Sequence, residues 1–481
     1  MSSHSALRTP HSALLSRRQW LNTTACGFGG LALAGLATAR AAAENPLAPK
    51  TPHFPAKAKR VIFLFMQGGV SHVDSYDYKP RLLKDDGKSF AFDDARIIAN
   101  SGQRGSNQRV MKPLWKFAQH GQSGAWATDL FPEVAKRVDD LCFIKSMHTE
   151  GVAHGPATLF LHCGSTNFVR PSFGSWALYG LGTENQNLPG FVSIAPSNGN
   201  GGARNYGNAF LPAVYQGTPL GRAGGTAKES TIRNLAPAIA ASDAKARFDL
   251  LREMHGEQLK RTPGDAEMEA VANSYELAWR MQMNAPDVLD LSKESDATKK
   301  LYGIGEKPTD TFGQQCLMAR RLSEQGVRFI QVTYGDSSAN PAWDQHSNMP
   351  KHADHAKAVD KPIAGLLEDL KKRGLLKDTI VWWGGEFGRT PYSQGGGTGR
   401  DHNPLGFTTW VAGGGFKPGF SYGATDEFGS LAVENKVHMH DLHATILHQL
   451  GLDHEKLTFE YAGRHFRLTD VHGRVVKDVL V

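Results

Sequence analysis

Val61-Ile62-Phe63-Leu64-Phe65-Met66 runs straight into Gln67-Gly68-Gly69. Six consecutive apolar residues without polar alternation describe a strand buried on both faces, and the glycine pair ends it. Comparable short runs recur at 141–145, 191–195, 327–334, 379–383 and 407–412. Helical stretches separate several of them. The clearest, 311–325, sets Cys316, Leu317 and Leu322 on one side, turns Arg320, Arg321 and Glu324 outward, and stops at Gly326. A second runs from His352 to Arg373, with a kink expected at Pro362. This alternation predicts an α/β fold: a mostly parallel central sheet with helices on both faces.

Between the third and fourth strands, residues 196–230 are rich in Gly and Asn and read as surface loop, and 231–285 read as charged helix. Together they predict a loop and helical insertion at about 196–310 in a domain spanning 59–481. Near the end, 466–481 has a strand, His472-Gly473, strand pattern, which predicts a C-terminal β-hairpin. Upstream of the first strand, Pro46, Pro49, Pro52 and Pro55 favour extended backbone and mark 44–58 as a linker.

Residues 1–43 read as a segment removed from the mature protein. Ser16-Arg17-Arg18-Gln19-Trp20-Leu21 precedes a Gly- and Ala-rich apolar run from Ala25 to Ala39, followed by A-x-A patterns at 39–41 and 41–43. That is a twin-arginine signal, recognised by the twin-arginine translocase, and it predicts a periplasmic or extracellular protein. The run is too short for a stable membrane span, which needs roughly 20 residues.

Removing the signal also changes the charge argument. The chain of 481 residues carries a formal charge of +7, with 54 basic residues. Four of those, Arg8, Arg17, Arg18 and Arg40, lie in 1–43 with no acidic residue, leaving 50 basic against 47 acidic. No nucleic-acid partner is expected from so small an excess. With 40% hydrophobic and 21% charged residues the composition is globular, and Cys142, Cys163 and Cys316 are too few and too apolar in context to imply a disulfide framework.

In open α/β sheets ligands gather beyond the carboxyl ends of the strands, so the residues after each run are the place to look for chemistry. His72, Asp74 and Asp77 follow the first strand, and His148 and His154 the second. Asp344 and His346 follow 327–334; Glu386 and Arg389 follow 379–383; Arg400, Asp401 and His402 precede 407–412. Each has a structural explanation taken singly, as a turn cap, a core histidine or a loop carboxylate. Gathered at one sheet edge, these imidazoles and carboxylates predict a divalent metal site of one or two ions, zinc first, with manganese, iron or calcium as alternatives.

Several of these segments also form a recognisable set. Gln67-Gly68-Gly69 with His72-Val73-Asp74, Trp343-Asp344-Gln345-His346, Gly385-Glu386-Phe387-Gly388-Arg389-Thr390-Pro391, Gly399-Arg400-Asp401-His402 and Asp441-Leu442-His443-Ala444-Thr445-Ile446-Leu447 resemble domain-of-unknown-function family 1501, over about residues 15–455. That family is similar to the alkaline phosphatase and sulfatase superfamily, whose members cleave phosphate or sulfate esters with metal ions and a covalent nucleophile. The resemblance implies an alkaline-phosphatase-like fold and makes Asp344, His346 and His402 ligands of a first metal. Glu386 stands where a second metal is shared, in Glu-Phe-Gly instead of Asp-His-Gly. Gln67 occupies a position usually held by Asp, so Asp74 or His72 would substitute as ligand. His154, in His-Gly-Pro-Ala-Thr, occupies the nucleophile position of the sulfatase Cys-x-Pro-Ser-Arg and is open to a role as ligand, acid, base or nucleophile, with Thr158 one turn later.

Arg389 and Arg400 are expected either to grip an anionic ester or to pair with Glu386 or Asp401. Hydrolysis of a small-molecule or polysaccharide phosphate or sulfate ester is the implied activity. A non-catalytic exported protein that binds glycans or cell-envelope partners is the alternative.

Overall fold

The computed structural model describes residues 45–92, 107–226, 229, 239–263, 265–394 and 397–481. The signal read at 1–43 lies outside them. In chain order the principal strands are β1 (Arg60–Met66), β2 (Leu141–His148), β3 (Phe191–Ile194), β4 (Thr218–Leu220), β5 (Phe329–Tyr334), β6 (Thr379–Gly384), β7 (Gly388–Ser393), β8 (Arg400–Asn403), β9 (Phe407–Ala412), β10 (Phe420–Tyr422) and β11 (Val437–His438). Eight of them order as β10-β2-β9-β6-β1-β5-β3-β4, with β11 added against β2. β1 pairs in parallel with β5 and β6, and β3 in parallel with β5 and β4. Only β9 runs against its neighbours, β6 and β2.

Alternate residues of the buried strands feed two cores. Ile62, Leu64 and Met66 of β1 join Ile330 and Val332 of β5 under the helices α5 (Asp310–Glu324) and α6 (His352–Lys372). Val61, Phe63 and Phe65 face the other way, onto α1 (His154–Cys163), α2 (Phe173–Leu181) and α7 (Met439–Gln449). Burial on both faces explains why these strands show no polar alternation in sequence. The helices of the insertion are α3 (Ala241–Arg261) and α4 (Ala266–Leu289).

Three readings need correction. First, the 196–230 stretch is not all loop: Thr218–Leu220 forms β4 at the sheet edge, where Pro219 is tolerated because its missing N–H faces away from the ladder. Second, Arg320 does not point outward. It is buried, with Glu294 at 2.7 Å, Glu324 at 2.6 Å and Asp369 at 3.0 Å. Third, the C-terminal hairpin is not centred on His472-Gly473: β12 (Phe459–Tyr461) pairs with β13 (Arg464–Phe466) across Ala462-Gly463, and His472-Gly473 follows a turn at 468–471 with no strand on either side of it.

Residues 45–58 contain no helix or strand and are tied to the domain by backbone bonds: Lys50 N–H to the Leu181 carbonyl at 2.9 Å and Ala58 N–H to the Gln449 carbonyl at 2.8 Å. Among the described residues no helix is long and apolar enough to cross a membrane.

Candidate metal centre

Four side chains from three parts of the chain meet beyond the carboxyl ends of β1, β5 and β6. Asp344 and His346 come from the loop after β5, His402 from β8, and His154 opens α1. Their ligand atoms all lie within 4.8 Å of one another, and no other such group occurs among the described residues. Two glycines let the β5 loop come this close. A Cβ on Gly68, whose φ is +115°, would sit 2.7 Å from the Asp344 nitrogen, and a Cβ on Gly399 would sit 2.0 Å from the His346 carbonyl carbon.

The tautomers follow from the partners of each Nδ1. His402 Nδ1–H donates to the Val152 carbonyl at 2.8 Å, and His154 Nδ1–H to the Glu386 carboxylate at 2.7 Å. His346 Nδ1–H donates to the Gln394 amide oxygen, with an Asp401 oxygen at 3.4 Å. All three Nε2 lone pairs are therefore free to converge. His154 Nε2 is 3.2 Å from Asp344 Oδ2; His346 and His402 Nε2 are 2.9 and 3.2 Å from Oδ1. His154 Nε2 makes no hydrogen bond despite its burial. Three nitrogen lone pairs around a carboxylate repel unless a cation lies between them, and an N3O set of this kind suits zinc in tetrahedral geometry, or manganese or iron. The donor set fits a metal.

Burial pushes the His402 imidazole down to about 4, so the ring is neutral. Burial alone would raise the Asp344 carboxyl, but the three imidazoles and the Arg389 guanidinium hold it well below the usual carboxylate range. His154 is lowered by burial, yet the carboxylates of Asp344 and Glu386 outweigh this and raise it overall. Burial also raises Asp401.

The structure separates the remaining predicted site residues from the cluster. Glu386 is not a donor; its two oxygens accept the Gly68 N–H at 3.0 and 3.1 Å, and one accepts His154 Nδ1–H. His72 is buried with Nε2 on the Gly429 carbonyl at 2.8 Å, outside the cluster. Asp74 is also outside it, accepting Arg400 Nε at 2.7 Å, Ser71 Oγ–H at 2.5 Å and Leu114 N–H at 2.9 Å. This Asp74–Arg400 pair corrects the expectation that Arg400 grips an anion or pairs with Glu386 or Asp401. Its other donors are taken by the carbonyls of Thr390, Met111 and Lys112.

Arg389 is equally buried. It donates to Asp344 Oδ1 at 2.8 Å and to the carbonyls of Gly69, Gly68, Trp343 and Arg400, so it braces a ligand instead of facing a substrate. His352, which opens α6, is fully buried and accepts the Ser71 N–H at 3.3 Å. The contribution of Gln394 had no sequence signal, whereas Asp401 stood next to His402 and could have been read as its neighbour's support.

Among solved structures the chain is similar to a sulfatase from Pseudoalteromonas sp. (11% identity, 83% of this chain and 68% of that one, TM-score 0.33). It is also similar to a lipoteichoic acid synthase from Listeria monocytogenes (9% identity, 89% and 78%, TM-score 0.36) and to alkaline phosphatase from the Antarctic bacterium TAB5 (11% identity, 74% and 92%, TM-score 0.32). No curated protein matches in sequence. A family model described as "Protein of unknown function (DUF1501)" matches residues 58–480.

Proposed function

Starting from the premise that this chain belongs to the DUF1501 family, we propose that it is an exported metal-dependent hydrolase of phosphate or sulfate esters, with one ion held by His154, Asp344, His346 and His402. The observation that carries this reading is the convergence of three Nε2 atoms on one buried carboxylate at a place solvent can reach: the His346 side chain is 31% exposed. A divalent ion there supplies Lewis acidity to an ester oxygen and activates water. Imidazole-rich donors favour zinc, manganese or iron over calcium.

The protein's own groups hold this arrangement. Glu386 orients His154, Arg389 orients Asp344, and the Val152 carbonyl orients His402. With His154 in the donor set, no member of the cluster is left as a covalent nucleophile, which favours direct attack by water. The substrate class is a small-molecule or polysaccharide ester, and the twin-arginine signal supports work in the periplasm or outside the cell.

Turnover of aryl phosphates and aryl sulfates by zinc-loaded mature protein tests the reading. Turnover that vanishes in His402→Ala supports it. The second reading, an exported binding protein for glycans or envelope partners, draws on two observations: four protein donors suffice to fill a tetrahedral ion, and both Arg389 and Arg400 are bonded internally. Stoichiometric metal without turnover of either ester class would establish it over hydrolysis.

A further inference from the structure

Six polar side chains interrupt the apolar face of the sheet beneath α1. Gln331 and Thr333 share a face of β5 with Phe329, Ser193 lies opposite Gln331 on β3, and Gln67 continues the Phe63 and Phe65 face off the end of β1. α1 covers them with Thr158 and His162; the His162 ring packs edge-on to Phe65 at 5.0 Å and its side chain meets Gln331. Every one of the six is more than nine-tenths buried.

Gln331 Nε2 donates to Thr333 Oγ1 at 3.2 Å, and His162 Nδ1–H donates to the Thr158 carbonyl at 2.7 Å. Both polar atoms of Gln67, Oγ of Ser193 and Oγ1 of Thr158 bond to no protein group. A core selected for stability alone does not place so many unpaired polar atoms on one face, because each is costly to desolvate. None of the six is an acid or a strong base, so the cluster suits neutral hydrogen-bonding partners and disfavours ions.

The stripe ends under the metal centre. The Gln67 carbonyl accepts the Trp343 N–H at 3.2 Å, next to Asp344, and the neighbouring Gly68 N–H holds Glu386, which holds His154. We propose that these side chains line an internal hydrated chamber whose ordered water keeps the surroundings of Glu386 polar and so maintains His154 as a metal donor. Buried waters typically make about three hydrogen bonds each, a number that neighbouring amide and hydroxyl groups on three strands and a helix can supply.

The coupling to His154 rests on the metal reading above; the hydration does not, and the test separates them. A high-resolution crystal structure of the zinc-loaded protein should contain at least two ordered waters bonded to Gln67, Gln331 or Thr158. The double variant Thr158→Val, Gln331→Leu should lose them and bind zinc about tenfold more weakly in a chelator competition assay, with Thr158→Val alone as the milder version if the pair folds poorly. A dry chamber in the wild type overturns the proposal, and so does unchanged zinc affinity in a folded variant. Wild-type protein that binds no zinc while showing the waters overturns the coupling and the metal reading, leaving the chamber as hydration alone.

Discussion

Nε2 of His346 lies 3.0 Å from Nε2 of His402, and Nδ1 of each ring has an oxygen partner of its own, the Gln394 amide and the Val152 carbonyl. With the ring protons assigned to those Nδ1 bonds, two lone pairs face each other, an arrangement that a shared cation stabilises. Metal removal should therefore loosen the fold. Chelator-treated protein is expected to melt several degrees lower than zinc-loaded protein, and zinc at a hundredfold excess over its Kd should restore about 2.7 kcal/mol. Differential scanning calorimetry on wild type and His402→Ala checks this, with no zinc response expected in the variant.

Glu386 acts on the centre through His154 Nδ1. Glu386→Gln keeps an acceptor of the same shape but removes its charge, so metal affinity should fall on the order of 10- to 100-fold with little loss of secondary structure. Competition with a chromogenic chelator measures it.

Asp74 and Arg400 are both completely buried, with their charged atoms 2.7 Å apart. Arg400→Met leaves a buried carboxylate without its partner and is expected to destabilise the fold by about 3–5 kcal/mol in urea unfolding. Zinc stoichiometry in the fraction that folds should remain that of the wild type, because Asp74 and Arg400 bond to none of the four donors.

Gly399 backs directly onto His346. A Cβ there meets backbone atoms at 2.0 Å, which no side-chain rotation relieves. Gly399→Ala should displace His346, weaken zinc binding at least tenfold and cost about 1–3 kcal/mol of stability. Gly202, with nothing near its Cβ position but a φ of +54°, is a control for backbone strain without displacement of a ligand.

Buried histidines away from the donor set contribute to the acid limb of stability, three of them around α1 and α7. Burial pushes His162 and His440 down to about 4 and His443 to about 3. Unfolded, each titrates near 6.5, so between pH 6.5 and 4 the unfolded chain binds protons that the native state does not, and stability falls as pH falls. His443→Gln, which can still donate to the Leu161 carbonyl, should shrink the stability difference between pH 7 and pH 5 by about 2 kcal/mol, read from urea midpoints.

The sheet was legible in the sequence because parallel strands buried on both faces must be apolar throughout; 61–66 and 407–412 fall within a residue of β1 and β9. Thr218–Leu220 escaped because a three-residue edge strand containing proline carries no such signature. Asp344, His346 and His402 could be found from motif and position. Arg400 could not be assigned, since its partner Asp74 lies 326 residues away and nothing local distinguishes a gripping arginine from a paired one. Arg320 failed for the same reason: helical periodicity turned it outward, while Glu294 and Asp369, supplied by other segments, made its burial favourable.

The four donors stretch from His154 to His402, half the length of the chain, and the last of them sits on a hairpin strand made after six of the nine strands of the sheet. A growing polypeptide thus passes most of its synthesis with His154 as its single ion-holding side chain, gains Asp344 and His346 together, and closes the cage only at His402. Loading is an event of the nearly finished chain, and any product that stops short of residue 402 emerges with unguarded histidines and nothing to close over them.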